Sequence, residues 1–184
     1  MRLSVPRIPA LTPQEWTPAA TEIMFPLVSH GSDLNIFRTL ANHPDLMRRW
    51  LVFTNHILFK TTLPTRVREF LILRIGFQCG CDYEWGHHVL IARAAGLTDH
   101  DFRAIQSGPG ASGLSDIDRL VLHAADELHT DNFISDATWQ ALATHFNNHQ
   151  LMDIVFTVGQ YKLVSMMLNT FGVQPDSGIP GFDL

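Results

Sequence analysis

The sequence predicts an all-α fold, a single-domain bundle of about eight helices. Three observations point there: apolar residues recur at three-to-four spacing almost throughout, strand-like alternation is rare, and helix start and stop signals recur along the chain. At 184 residues, 46% hydrophobic and 17% charged, the chain is long enough to bury one sizeable core.

The helices follow in order. "TPQEW" offers Thr12 as N-cap, Pro13 at N1 and Glu15 at N3, and the helix it starts is expected to run to about Val28. "HPDLMRRWLVFTNHILF" opens a second with Pro44 at N1 and Leu46, Trp50, Phe53, Ile57 and Leu58 along one stripe. "LPTRVREFLILRIGFQ" opens a third after Pro64, with Val67, Phe70, Leu71, Leu73 and Phe77 as its apolar face and Gly80 as its breaker. A fourth spans Asp82 to Ala95 and stops at Gly96, a common C′ residue. Thr98 with Asp101, and Ser115 with Asp118, cap the next two, and "SGPGASG" between them reads as a surface loop. Ser135 starts a seventh. The eighth, "LMDIVFTVGQYKLVSMMLNTFG", is apolar on much of its surface, which suits a central core position or a subunit interface. The tail after Gly172, with two prolines and two glycines, reads as extended. No repeat and no low-complexity linker divides residues 1–184, so one domain is expected.

Charge and composition narrow the function classes. The net charge of −5, with Lys and Arg scattered, argues against a general nucleic-acid binder. The start, "MRLSVPRIPALTPQEW", lacks the apolar run of a signal peptide, and no stretch is read as approaching the ~18 apolar residues of a membrane span. A cytoplasmic protein with no membrane partner is the expectation. Two cysteines separated by one glycine do not form a disulfide framework, so reduced thiols are expected.

The chemistry concentrates in "FQCGCDYEWGHHVL". At about 100° per residue, Cys81, Glu84 and His88 share one helix face. Glu84 and His88 form an i,i+4 pair. Cys81 would sit at the helix N-terminus, where the dipole favours a thiolate. If the preceding helix packs as an antiparallel hairpin, Glu69 reaches the same pocket, giving two carboxylates, an imidazole and a thiol suited to proton transfer. His87 points elsewhere. The same residues also read without chemistry: the thiols as small buried side chains, Glu84–His88 as a surface pair, and the other histidines as surface, capping or packing groups. Zinc held by Cys79, Cys81, His87 and His88 fits no usual ligand spacing, and one helix cannot aim all four at a point.

"RE" at Arg68-Glu69, then Cys81, then His88 followed by "ARAAGLT", resembles the carboxymuconolactone decarboxylase and alkylhydroperoxidase D superfamily. The flanks "NIFRTLANHPDLMRRW" and "VGQYKLVSMMLNTFGV" extend the likeness from about Asn35 to Val173, and "YEWGHH" looks like the decarboxylase-type members. The resemblance implies an alkylhydroperoxidase D-like bundle, assembly into trimers or hexamers, and a small-molecule substrate. In the peroxidase branch a Glu precedes Cys-x-x-Cys-x-x-x-His; here Glu69, Cys81 and His88 match, and Glu84 stands where the second Cys would be. A carboxylate cannot form the resolving disulfide. Cys79 lies on the wrong side of Cys81 to replace it.

The decarboxylase branch needs no metal or organic cofactor. That resemblance implies acid–base chemistry on a small carboxylated or lactone-type substrate, with His88 as general acid/base, Glu84 orienting it and Glu69 as a second relay carboxylate. Tyr83 and Trp85 are candidate pocket residues, and Arg74 is a candidate carboxylate anchor. Two alternatives remain open: a peroxide reductase using Cys81 alone, and a non-catalytic ligand-binding helical protein.

Overall fold

The repeated Ser/Thr/Asn caps and N1 prolines of the sequence set most helix starts in the computed structural model, which describes residues 3–183. The chain's first two residues, part of the stretch read for a signal peptide, and the last lie outside it. The described residues form nine α-helices, one short 3-10 turn at Pro13–Glu15 and no strand. The helices are α1 (Pro18–Ser29), α2 (Asn35–Leu40), α3 (Pro44–Phe59), α4 (Thr65–Gln78), α5 (Asp82–Ala94), α6 (Asp99–Ser107), α7 (Asp116–Thr130), α8 (Asp136–Ala143) and α9 (Asn148–Phe171).

Two differences from the sequence reading have local causes. The Thr12/Glu15 capping box forms, but it closes only the 3-10 turn. Pro18 keeps Thr17 out of the helical region, and Thr17 becomes a second N-cap whose hydroxyl accepts from the Ala20 N–H. One expected helix is therefore a turn followed by α1. The additional helix, α2, has six residues and Leu34 at its N-cap position, where the side chain cannot cap. It carries no start signal.

α4 is the axis of the bundle and packs on α5, α6, α7 and α9. Phe70, Leu71, Ile72, Leu73 and Ile75 are all fully buried, so α4 is enclosed on every side rather than on the single apolar face expected. The sequence reading also missed that α9 is long and apolar enough to cross a membrane by length and composition. Here α9 runs through the bundle, with Leu151, Ile154, Val158, Tyr161, Val164 and Leu168 buried. Gly172 ends it in the left-handed conformation, φ 69°.

The tail then folds back over α2 and α5. Gln174 accepts from Asn35 Nδ2 and donates to the Leu3 carbonyl. Asp176 accepts from the Asn35 backbone N–H. Ile179 and Pro180 lie directly on Gly86, and Phe182 packs edge-on against Phe77 with ring centroids 5.3 Å apart.

Candidate active site

Three of the sequence-predicted residues come together. α4 and α5 form the expected hairpin, and each turns a buried carboxylate toward His88. His88 Nδ1 donates to Glu69 Oε2 at 2.7 Å, and His88 Nε2 lies 3.0 Å from Glu84 Oε1. Arg68 Nε in turn donates to Glu69 Oε1 at 2.9 Å, while Arg68 Nη1 donates to the Leu58 carbonyl. The result is a chain of alternating charge, Arg68–Glu69–His88–Glu84, with both imidazole nitrogens occupied. Alternation makes it tolerable to bury four charges, because each has an opposite neighbour within hydrogen-bond distance.

Burial alone would push His88 down, but Glu69 and Glu84 outweigh it and raise it to about 10. His88 is therefore an imidazolium at neutral pH. Burial pushes Glu69 up, and the His88 and Arg68 cations outweigh that and hold it below the usual carboxylate range.

The chain ends at a cavity of about 130 Å³. Glu84 and His88 are in its wall, and most of the rest is apolar: Ile36, Phe37, Trp50, Leu58, Ile91 and Val164 among others. Among the described residues no Lys or Arg lines it. The size suits a molecule of roughly one small ring, since an apolar cavity of about 150 Å³ accommodates benzene.

The remaining candidates fall elsewhere. Cys81 is the N-cap of α5, as expected, but it is 1% exposed and lines a separate space of about 10 Å³ near Leu168 and Val173. Burial and the Glu84 charge push its thiol up to about 12, the reverse of the thiolate expected from the helix terminus. Trp85 does not line the cavity; it is fully buried against Phe77, Phe102 and Phe182. Arg74 cannot anchor a substrate carboxylate there. Its guanidinium is spent on both oxygens of Asp126, at 2.6 and 2.9 Å, and on the carbonyls of Ile105 and Gln106. Tyr83 does line the cavity, but its hydroxyl donates to Asp176 Oδ2 at 2.5 Å and accepts from the Ile36 N–H.

The four zinc candidates are dispersed. Cys79 Sγ is 4.0 Å from His129 Nδ1, His87 pairs with Asp176, and His88 sits between its carboxylates. Among the described residues no group of three or more His, Cys, Asp or Glu is placed to hold a metal ion.

Sequence reasoning missed three polar residues of the cavity. Tyr161 from α9 meets the His88 ring edge-on, centroids 4.9 Å apart. Burial, then the Glu84 and Glu69 charges, push its hydroxyl well above its ordinary range, so it stays a neutral phenol. Thr54 from α3 accepts from Gln160 Nε2 at 2.8 Å, which leaves its own proton available. His87, expected to point elsewhere, lines the same cavity as His88. The periodicity of α9 and α3 marked Tyr161 and Thr54 only as core positions.

These features define a helical bundle whose buried carboxylate–imidazolium–carboxylate set opens on a small apolar pocket. The comparisons place it. Residues 44–127, from the start of α3 into the last turn of α7, match the carboxymuconolactone decarboxylase family. The whole fold is similar to a crystal structure of an uncharacterized peroxidase-related protein with an alkylhydroperoxidase AhpD core from Ralstonia eutropha JMP134 (TM-score 0.79, 20% identity, 95% of this chain and 94% of that one). It is similar also to an uncharacterized peroxidase-related protein from Silicibacter sp. TM1040 (0.78, 17%, 98% and 95%). A third similar structure is a cysteine-to-alanine variant of the debrominase Bmp8 in complex with 2,3,4-tribromopyrrole (0.72, 16%, 92% and 91%). No curated protein matches the chain by sequence. The family match over residues 44–127 and the alkylhydroperoxidase D-like fold both agree with the superfamily that the motifs predict.

Proposed function

We propose that the chain is a cofactor-free acid–base enzyme of the decarboxylase type, acting on a small carboxylated or lactone-type ring. The observation that carries this reading is the Glu69–His88–Glu84 set, closed at 2.7 and 3.0 Å, at the wall of an apolar cavity. Both His88 nitrogens are engaged, so the group that meets substrate is the Glu84 carboxyl, with His88 supplying and recovering its proton. Glu69, held as a carboxylate by Arg68, keeps the imidazolium in place.

A cavity without Lys or Arg is a poor solvent for a substrate carboxylate. Loss of CO₂ relieves that cost. The C–C bond to the carboxylate breaks, its electron pair spreads into the conjugated ring, and Glu84–His88 delivers the proton that completes the product. Tyr161 and Thr54 can donate to the ring oxygen that takes up charge.

The alternative, peroxide reduction by Cys81 alone, is disfavoured by the thiol's burial, its shift to about 12 and its absence from the cavity wall. The test is CO₂ release from carboxylated γ-lactones and β-keto acids. Glu84→Gln and His88→Ala are expected to lower kcat/KM by ~10²–10⁴, and Cys81→Ser to leave it intact. Turnover of these acids by His88→Ala at the full rate would overturn the reading. Peroxide consumption that disappears in Cys81→Ser would replace it with the thiol mechanism, and ligand binding without turnover with the non-catalytic one.

We further propose that the protein self-associates through α9. Met152, Val155, Phe156, Leu163 and Met166 form an exposed apolar stripe along that helix, joined by Phe53 of α3, whose ring meets Phe156 edge-on. The family resemblance, with its trimers and hexamers, supports the same reading.

A further inference from the structure

The acid–base reading uses one wall of the cavity and leaves a second titratable cluster unexplained. His87 follows along α5, and its ring lines the same space. His87 Nε2 lies 3.0 Å from Asp176 Oδ2, and the Tyr83 ring stacks beside it with centroids 4.6 Å apart. Asp176 is built into place by three donors: His87, the Tyr83 hydroxyl and the Asn35 backbone N–H. Burial pushes its carboxyl up, but these hydrogen bonds outweigh that and hold it below its ordinary range. An acceptor-only carboxylate requires Nε2 to carry the proton. Nδ1 is then the ring nitrogen left for a second partner. Two adjacent histidines thus meet carboxylates differently: His88 lies between two, while His87 is held through Nε2 by one.

We propose that His87, positioned by Asp176, is a general base of this cavity beside the Glu84–His88 acid, and that the protein transposes protons on small neutral carbon acids of lactone type. This rests on the acid–base reading of Glu84–His88 and extends it from proton delivery to proton abstraction. On a β,γ-unsaturated lactone, the C–H bond next to the carbonyl breaks and its proton goes to His87 Nδ1. The electron pair delocalises through the carbonyl and the C=C bond. A C–H bond forms at the far carbon with the proton from Glu84–His88, giving the conjugated isomer. His87 then loses its proton to water and the Glu84–His88 couple regains one, so no co-reactant is needed. A wall without Lys or Arg among the described residues favours such uncharged substrates.

The probe is α-angelica lactone, followed by ultraviolet absorbance of the conjugated isomer and by deuterium uptake in D₂O. The full chain is expected to catalyse both. His87→Gln should lower isomerisation by ~10² or more, at least ten times more deeply than any fall in CO₂ release from carboxylated lactones. Imidazole added to His87→Ala should restore part of the rate, an effect a packing role would not produce. Nitrogen-15 NMR of the neutral His87 form should show its proton on Nε2, and Asp176→Asn should disturb that tautomer. Wild-type CO₂ release without isomerisation, isomerisation unchanged in His87→Gln, or a proton on Nδ1 would overturn this inference and leave the decarboxylase reading standing. Isomerisation that needs both His87 and Glu84, without CO₂ release, would support the inference and overturn that reading. Neither reaction in the wild type overturns both.

Discussion

Cys81 shows at the residue scale how burial overrides a local preference. Its position at the start of α5 favours a thiolate, and the sequence reading took it so. The structure adds what sequence spacing cannot supply: a thiol 1% exposed, facing Leu168 and Val173, with the Glu84 charge nearby. Desolvation and like charge then win over the helix dipole. Alkylation by iodoacetamide at pH 7.5 should therefore modify Cys81 at least ~100-fold more slowly in the native protein than in the unfolded one, as read by mass spectrometry of the peptide. Fast native labelling of Cys81 would return the peroxidase mechanism to contention. The positions that were legible, Glu69, Glu84 and His88, depend on i,i+4 geometry and on one hairpin, which sequence spacing encodes. Arg74 and Asp126 pair across two helices 52 positions apart, and that geometry left no local trace to warn that the guanidinium was already committed.

At the scale of elements, the tail matters more than its extended, turn-rich sequence suggests. It delivers Asp176 to His87 and Tyr83, and it passes over Gly86 so closely that a Cβ there would collide with Ile179 and the Pro180 carbonyl. Gly86→Ala must push backbone aside, which costs ~1–3 kcal/mol as overpacking typically does. It should lower Tm and speed amide exchange in residues 176–182. Gly159→Ala, where nothing lies within 4 Å, should instead stabilise an isolated chain by roughly 0.5–1 kcal/mol. Equal effects from the two substitutions would mean the tail does not bear on α5. The caps and N1 prolines made most helices readable before the structure. The split at Thr17-Pro18 was readable too, from the second Thr-Pro in the sequence, whereas α2 was not, since Leu34 cannot cap and six residues are too few for periodicity to register.

At the scale of the whole molecule, the stripe on α9 and the buried charge chain make separate predictions. If the stripe is an interface, Phe156→Glu with Leu163→Glu should reduce the assembly to monomers in sedimentation velocity while helix content by circular dichroism is kept. A wild-type monomer would remove that proposal. The charge chain acts on stability through pH. His88 is raised from 6.5 to about 10 in the folded state. Between those values the native protein holds a proton that the unfolded chain has released, so unfolding free energy falls as pH rises. This contribution is fully present below about pH 6.5 and is lost by the time pH has passed the folded value near 10. Its slope in that window is about 1.4 kcal/mol per pH unit for one group. Glu69 acts with the opposite sign: its lowered value contributes stability above its ordinary range that disappears as acid protonates it. Denaturant melts from pH 6 to 10 should therefore show stability declining toward alkali, and His88→Gln should flatten that decline while lowering stability at pH 6. A wild-type profile level across this range would mean that His88 is neutral between its carboxylates, and the Glu84–His88 couple would then lack the proton that the proposed chemistry requires.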